Sequence, residues 1–338
     1  MKTKLLILLL FTNFVFCQVT DLLTNLNTAS NLTYKDNYVY FNSYSGKKIF
    51  RFDYSLPNPT AELILQLNEN PNFVYAKDNF LYVGVENPHK TYKIDLSSEN
   101  FQPQFLANVA GPMTQINGDL YIGQYTDSKI VKVDLTTNLQ SDVLVGYKPN
   151  FFTAFEGHLY FTSNYTNKLY KLDVTTSSLE VVLNNLNYAS GIVMNTDLFF
   201  VCESSASTIS IYTKPDFQFQ EMVQLPVNSW PNGVILIGND LVFVQTITGK
   251  ISKMPINSFL GHTSFVTTNP KIKVYPNPSS DVIKIESQYT FEKYQIYDLQ
   301  GKLIENEIIT NNRISISHLS KGEYVLMLDK HSNTFLKN

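Results

Sequence analysis

The stretch Leu159–Asp173, LYFTSNYTNKLYKLD, contains the pattern that decides the fold. A short apolar strand is followed by a polar turn at Ser163–Asn167 and by a second, alternating strand, an order typical of a β-hairpin. The pattern recurs six times, with its first apolar anchor at Tyr40, Tyr82, Tyr121, Tyr160, Phe199 and Val242. The steps between anchors are 42, 39, 39, 39 and 43 residues. A period near 40 residues indicates an array in which each repeat is one small sheet.

Further strand-like runs precede and follow each hairpin, which gives four strands per repeat. Six repeats have a first strand but only five have a fourth. The missing strand is found at the other end of the chain, where Val19–Leu26 (VTDLLTNL) resembles Glu180–Leu186 (EVVLNNL). Pairing of this segment with the last repeat would close the ring and remove exposed sheet edges. The sequence therefore predicts an all-β fold, a six-bladed β-propeller over residues 18–258 closed by the N-terminal strand.

The repeated positions have simple structural interpretations. We expect the six anchors to lie in the core, where each blade packs against the next. An Asp follows the anchor by 13 residues in four repeats, and we expect it to form a turn. These residues are Asp53, Asp95, Asp134 and Asp173.

Composition narrows the classes of function. Aromatic residues make up 13% of the chain and charged residues 16%, and the net charge is -3. Without a basic run or an arginine-rich face, the sequence does not predict a nucleic-acid partner. Of the two cysteines, Cys202 follows apolar residues in a strand and is expected to be a buried, inert thiol.

Residues 1–17, MKTKLLILLLFTNFVFC, have the features of a secretory signal peptide. Lys2 and Lys4 precede an apolar run that is too short for a membrane span. Cleavage after Cys17 leaves Gln18 at the mature N-terminus, and we expect no transmembrane segment in the mature chain. A lipoprotein with a lipidated Cys17 is the alternative, although the bulky Phe16 stands where small residues are usual.

The body, about Val19 to Ser258, resembles the six-bladed propellers of the NHL-repeat and gluconolactonase-like groups. The resemblance rests on the repeat length, on the rhythm seen in Leu169–Asp173 and on Pro, Asn and Gly in the loops before each first strand. It implies the fold but not the function, because this architecture is found both in enzymes and in binding scaffolds.

The loops before the first strands are the predicted ligand site, at one mouth of the central channel. Three of them place an asparagine after a proline, at Asn72, Asn150 and Asn232. A ring of side-chain amides could bind a Ca²⁺-like ion or polar ligand groups. Pro and Asn are also ordinary turn residues, which is the alternative.

Aromatic residues occur in the same loops. Trp230 is the only tryptophan, and we expect it beside Tyr147, Phe152 and Tyr188. Exposed rings there could stack on a sugar or hold a peptide, whereas packing under the loops is the structural alternative.

The gluconolactonase-like resemblance implies a divalent metal held by carboxylates and amides. The first strands and their preceding loops carry almost no Asp or Glu, the nearest being Glu69 and Asp36. A site without anionic ligands binds metal poorly. We therefore expect a binding protein for a glycan, a peptide or a surface protein, with no cofactor. The alternatives are a metal-dependent hydrolase or lactonase, with an ion such as Ca²⁺, and a structural spacer.

Residues 259–269 form a predicted linker, and residues 270–338 a small all-β module, expected to be a β-sandwich. The module resembles the type A C-terminal sorting domain of the type IX secretion system of the Bacteroidetes. The residues of its motifs are Tyr275, Pro276, Asn277, Pro278, Gly301, Gly322 and Tyr324. The resemblance implies recognition by the outer-membrane translocon, removal of the domain, and a cargo that is secreted or attached to the cell surface.

Overall fold

The computed structural model describes residues 19–98, 100–256, 273–287, 291, 293–298, 302–309, 312–328 and 331–338. The predicted signal peptide and the predicted linker lie outside these residues. The chain divides into two compact units, residues 1–261 and 262–338.

Six four-stranded antiparallel sheets make up the first unit. The N-terminal strand β1 (Thr20–Leu23) is the outer strand of the sixth sheet. The first sheet contains β2 (Leu32–Lys35), β3 (Tyr38–Ser43), β4 (Lys48–Asp53) and β5 (Glu62–Gln66). The second contains β6 (Asn70–Lys77), β7 (Phe80–Glu86), β8 (Lys90–Asp95) and β9 (Gln104–Ala107). The third contains β10 (Met113–Ile116), β11 (Asp119–Gln124), β12 (Lys129–Val133) and β13 (Gln140–Val145).

The remaining three sheets have the same strand order. The fourth contains β14 (Phe151–Phe155), β15 (His158–Ser163), β16 (Lys168–Asp173) and β17 (Leu179–Leu183). The fifth contains β18 (Ala189–Met194), β19 (Leu198–Glu203), β20 (Thr208–Thr213) and β21 (Phe219–Gln224), with a 3-10 turn at Ser204–Ala206. The sixth contains β22 (Pro231–Ile237), β23 (Asp240–Gln245) and β24 (Lys250–Pro255) before β1.

The sheets contact one another in sequence order through their first strands. Strand β2 contacts β6, and the series continues through β10, β14, β18 and β22. Strand β22 contacts β2 in turn, which completes the circuit. Strand β1 pairs antiparallel with β24, with Thr20 opposite Lys253 and Leu23 opposite Ile251. The predicted all-β class and the four-stranded blades are confirmed.

The repeat anchors are buried between neighbouring sheets. In one cluster, Tyr121 of the third sheet packs with Leu159, Phe161 and Tyr170 of the fourth. All six anchors are buried, as the periodicity predicts: Tyr40, Tyr82, Tyr121, Tyr160, Phe199 and Val242. Burial of one such side chain contributes about 1.5–3 kcal/mol, so each anchor helps to join two blades.

The repeated aspartates form turns after the third strand, as the sequence predicts. Asp173 Oδ1 accepts hydrogen bonds from the Thr175 amide at 2.8 Å and the Thr175 hydroxyl at 2.6 Å. These bonds to the charged form hold the pKa of the Asp173 carboxyl below its usual value. Asp53 makes the same pair of bonds to Ser55, and Asp95 to Ser97.

The second unit contains two antiparallel sheets. Their strands are β25 (Lys273–Tyr275), β26 (Val282–Glu286), β27 (Lys293–Asp298), β28 (Leu303–Ile308), β29 (Arg313–Ser315), β30 (Gly322–Leu328) and β31 (His331–Lys337). One sheet has the order β25-β26-β29 and the other β28-β27-β30-β31. Ile283 and Ile314 of the first sheet share one apolar cluster with Ile296 and Leu326 of the second.

Candidate functional site

Two adjoining cavities lie where the first strands begin. We call the first the mouth cavity; its volume is about 180 Å³. It is lined by Ser30, Asn72, Phe73, Glu86, Asn150, Phe151, Tyr188, Trp230 and Asn232. The second, the side cavity, is about 280 Å³ and shares Asn72, Phe73, Glu86, Asn150 and Tyr188 with it. The structure thus brings all five predicted site residues, Asn72, Asn150, Tyr188, Trp230 and Asn232, to one cavity. Asn72 and Asn232, expected in the preceding loops, lie within β6 and β22.

Tyr188 and Trp230 form an aromatic wall of the mouth cavity. Their ring centroids are 5.3 Å apart and their planes are inclined by 51°. Both residues have left-handed backbone, with φ of 57° and 51°, a conformation that is rare for bulky side chains. Hydrogen bonds to their carbonyl oxygens hold them there: the Ser204 amide donates to Tyr188 at 3.2 Å and the Thr246 amide to Trp230 at 3.1 Å.

Phe73 and Phe151 form an apolar part of the lining. They belong to the first strands of the second and fourth sheets, and their rings meet edge to face with centroids 5.1 Å apart. Phe151 also lines a third cavity of about 160 Å³, to which all six first strands contribute. The contact therefore joins two blades that are not neighbours in the sequence of sheets.

Two of the predicted asparagine amides already have partners within the protein. Asn72 Nδ2 donates to Glu86 Oε1 at 2.8 Å, and Asn150 Nδ2 donates to the carbonyl oxygen of Ala189 at 2.8 Å. The bond from Asn150 links the fourth sheet to the loop that carries Tyr188. These two amide groups therefore stabilise this end of the blades, and the remaining oxygen of Asn72, Oδ1, is buried without a hydrogen-bond partner among the described residues.

Side chains at the ends of the second strands fasten the loop of the next blade. Asn42 Nδ2 donates to the carbonyl oxygen of Pro71 at 2.8 Å, and Thr162 Oγ1 donates to that of Ser190 at 2.8 Å. Ser204 Oγ, just after β19, donates to the carbonyl oxygen of Pro231 at 2.6 Å. Such bonds satisfy loop carbonyl groups and keep the mouth in one shape.

Glu86 is a lining residue that the sequence reasoning missed. Its Oε1 accepts from Asn72, and its Oε2 accepts from the Tyr44 hydroxyl at 2.9 Å, a bond that raises the pKa of Tyr44. Glu86 ends the second strand β7, outside the first strands and preceding loops in which acidic ligands were expected. A signal was present, because the last residue of each second strand is polar: Ser43, Glu86, Gln124, Ser163, Glu203 and Gln245.

Glu203, at the equivalent place in the fifth sheet, is buried and supports the aromatic wall. It accepts a hydrogen bond from the Asn187 amide at 2.6 Å and another from Asn187 Nδ2 at 3.0 Å. The Ser210 hydroxyl donates to its other oxygen. Because Asn187 precedes Tyr188, the Glu203 carboxylate fixes the backbone from which the Tyr188 ring projects.

The groups at the mouth do not fit a divalent metal. Among the described residues, no three His, Cys, Asp or Glu side chains are grouped so that they could hold an ion. Of the residues lining the mouth cavity, only Glu86 has a carboxylate, and both its oxygens accept hydrogen bonds from the protein. Calcium prefers six to eight oxygen ligands. We therefore derive no metal-dependent step from this site.

Two aromatic residues expected beside Trp230 lie elsewhere, so this part of the prediction is wrong. The Tyr147 ring packs on Tyr170, with centroids 5.4 Å apart, and the Phe152 ring packs on Phe161 at 6.3 Å. Both belong to the core cluster of the third and fourth sheets. Side chains alternate along β14, so Phe151 and Phe152 cannot both face the mouth.

The Cys202 thiol is buried, as predicted. Burial raises its pKa far above the usual value, so it carries little thiolate at neutral pH. The thiol is therefore part of the core of the fifth blade.

The motif residues of the second unit bring its last strand onto the sheet. Asn277 Oδ1 accepts from the Leu336 amide at 2.8 Å, and Asn277 Nδ2 donates to the carbonyl oxygen of Thr334 at 3.2 Å. Gly322 begins β30, and Tyr324 lies two residues further along the same strand. The Tyr324 ring stacks on that of Phe335 in β31, with centroids 5.7 Å apart. The neighbouring motif residues are exposed: Tyr275, Pro276 and Pro278. Gly301 lies outside the described residues.

Residues 273–338 match the family model described as the secretion system C-terminal sorting domain. The predicted type IX sorting domain is thereby confirmed for this part of the chain. The chain is also 33% identical over 67 residues to β-agarase D of Zobellia galactanivorans. That match covers 20% of this chain and 14% of the agarase, so the chain spans only about a seventh of that relative.

Solved structures that resemble the chain are β-propellers. An auxiliary nutrient binding protein of Bacteroides thetaiotaomicron has a TM-score of 0.57 at 12% identity, over 68% of this chain and 69% of that one. Regucalcin of Agrobacterium tumefaciens, titled a calcium-binding protein, has a TM-score of 0.55 at 13% identity, over 68% and 90%. Virginiamycin B lyase of Staphylococcus aureus has a TM-score of 0.51 at 16% identity, over 80% and 95%. These likenesses confirm the predicted propeller resemblance, and at such identities they show the fold alone.

In the part of the chain that the structure describes, no helix has the length and apolar character needed to cross a membrane.

Proposed function

We propose that this chain is an exported binding protein: a propeller that takes a ligand at its mouth cavity and is delivered through its sorting domain. The observation that carries the proposal is the convergence of Asn72, Asn150, Tyr188, Trp230 and Asn232 on one cavity. Aromatic rings with a few polar groups in a concave site are typical of ligand recognition. Glycans, peptides and other surface proteins are the candidate ligands.

The proposal includes a closed ring of six blades. Its support is the circuit of first-strand contacts together with the pairing of β1 and β24. The two sheets of the C-terminal unit would form a β-sandwich around their common core. The domain bounds that go with this interpretation are 1–17 for the signal peptide, 18–258 for the propeller, 259–269 for the linker and 270–338 for the sorting domain.

Export is proposed to follow the route that the sorting domain indicates. After the signal peptide directs the chain across the inner membrane, the translocon of the type IX system would recognise residues 273–338. The propeller would then be released or remain attached to the outer surface of a Bacteroidetes cell. Its mouth would there face molecules outside the cell, which suits a binding role.

The alternative is a metal-dependent hydrolase or lactonase acting at the same mouth. Glu86 is the one carboxylate that the described lining offers to such an enzyme. The lack of a second acidic group among the described lining residues favours binding without metal.

A binding experiment separates the two functions. The purified chain would be applied to arrays of glycans, peptides and surface proteins, with and without a chelator. We expect a hit that survives chelation, is lost in Trp230→Ala and is kept in Phe219→Ala, which alters an exposed ring on the outer strand β21. Stoichiometric Ca²⁺, Mg²⁺, Mn²⁺ or Zn²⁺ binding by calorimetry, abolished in Glu86→Gln, would overturn the proposal in favour of the enzyme.

A further inference from the structure

We infer that the mouth cavity takes one terminal sugar ring of a neutral glycan, stacked against Tyr188 and Trp230. This inference rests on the proposed binding function and names its ligand class. It follows from four properties of the cavity: its apolar faces, its polar groups, its charge and its size.

The apolar faces match the shape of a pyranose ring. Tyr188 is 41% exposed, so much of its ring is open to a ligand, and Trp230 lies beside it at 5.3 Å. Phe73 and Phe151 add a second pair of rings to the lining. A pyranose presents C–H groups on its two faces and hydroxyl groups around its edge, so a ring wall with polar neighbours suits it.

The polar groups of the cavity suit hydroxyl groups. Hydroxyls both donate and accept, and so do the side chains of Ser30 and Asn232, which line the cavity. The Glu86 carboxylate accepts one hydrogen bond at each oxygen from within the protein. Its remaining lone pairs can accept from a sugar hydroxyl without disturbing those bonds.

The charge of the cavity favours a neutral ligand over a peptide or an acidic glycan. No Lys or Arg is among the described residues that line it, so a carboxylate or sulfate would find no cationic partner there. Glu86 is the one acidic group of that lining, and the hydrogen bonds from Tyr44 and Asn72 offset part of its charge.

The volume sets the length of the bound part. At about 180 Å³ the mouth cavity is smaller than the roughly 300–1,000 Å³ of sites for drug-sized molecules. One ring fits, and the side cavity, which shares Asn72 and Tyr188, offers room for the start of a second unit. A chain end rather than the middle of a chain is therefore the expected ligand.

The single tryptophan makes the inference directly testable. Fluorescence of Trp230 in the purified chain would be followed during titration with neutral methyl glycopyranosides and neutral oligosaccharides. Uronic acids, sulfated sugars and the peptides of a random library would be titrated in parallel. Phe219→Ala is the control, because Phe219 is an exposed ring on the outer strand β21 and lines neither cavity.

We expect a saturable fluorescence change with a neutral saccharide, about tenfold weaker binding in Tyr188→Ala from the lost stacking, and unchanged binding in Phe219→Ala. A change with peptides or charged sugars alone would overturn the neutral-glycan inference while supporting binding at the mouth. If no compound changes the Trp230 fluorescence although the same chain binds a ligand on the arrays, the mouth cavity is not the binding site.

Discussion

The Tyr188 and Trp230 rings lie 5.3 Å apart although the two residues come from different blades and both have a left-handed backbone. They occupy the same place in their repeats, just before the first strands β18 and β22. Thr28 has the same left-handed conformation before β2. Three of the six repeats therefore share this left-handed position, and two of them place a large aromatic side chain there.

Left-handed backbone at Tyr188 should cost stability. Once the ring is removed, a glycine tolerates this conformation better than an alanine, so we expect Tyr188→Gly to be more stable than Tyr188→Ala by about 1 kcal/mol. Urea unfolding of the propeller unit measures the difference. Tyr165, which is not among the left-handed residues, is the control, where glycine should be the less stable substitution. An alanine variant at 188 as stable as the glycine variant would contradict the strain.

Glu203 should matter for both stability and binding. Its removal leaves the buried Ser210 hydroxyl and the part-buried Asn187 amide without their acceptor, so Glu203→Ala should lose about 1–3 kcal/mol in the free energy of unfolding. Glu203→Gln keeps one acceptor oxygen and should lose less. Chemical denaturation checks the order, and ligand affinity should fall in parallel because the loop of Tyr188 loosens. Equal stability of the alanine variant and the unmodified chain would exclude this role.

The turn aspartates predict an acid-sensitive fold. Hydrogen bonds from Thr175 lower the pKa of Asp173, and those from Ser55 and Ser97 lower that of Asp53 and Asp95. A carboxyl whose pKa is lower in the folded state stabilises above its unfolded value of about 3.9 and loses that contribution as the pH falls toward the folded value. The melting temperature should therefore decrease as the pH is lowered below about 4. A variant with Asp53, Asp95 and Asp173 all changed to Asn should show a weaker dependence of the melting temperature on pH. The same pH dependence in this variant and in the unmodified chain would refute the linkage.

Ring closure by the N-terminal strand predicts a large effect of a short deletion. Removal of residues 19–23 takes away the β1 pairing, the Asp21 bonds to Lys250 and Ser252, and the buried Leu23 side chain. We expect a loss of at least about 2 kcal/mol, since burial of one leucine alone contributes that much. Thr20→Ala, at an exposed position, should leave the unfolding midpoint unchanged. An unchanged midpoint in the deletion variant would argue against closure.

The sequence predicted the blades because every repeat carries the same short-range signals. These signals are the alternation of apolar and polar residues, the polar turns, and the six anchors from Tyr40 to Val242. Each depends on residues close together in the chain, so it can be read from one sequence. The strand β16, for example, is Lys168–Asp173 both in the repeat pattern and in the structure.

The parts of the site that the sequence did not predict come from second strands and from contacts between distant blades. Glu86 reaches the mouth from the end of a second strand, and Phe73 meets Phe151 from a blade two places away. The Phe73–Phe151 contact has no fixed spacing in the sequence, whereas Glu86 pairs with Asn70 in the hairpin of β6 and β7. Tyr147 was misplaced for a related reason, because its ring turns into the core beside Tyr170.

The central claim is that ligand binds at the mouth, and the single indole allows one direct test. The chain would be labelled with 5-fluorotryptophan, which gives one ¹⁹F resonance, at Trp230. Titration with a ligand found on the arrays should shift this resonance saturably, with the same dissociation constant as that measured by calorimetry. Full binding by calorimetry with an unmoved ¹⁹F resonance would contradict the claim and place the ligand elsewhere on the protein.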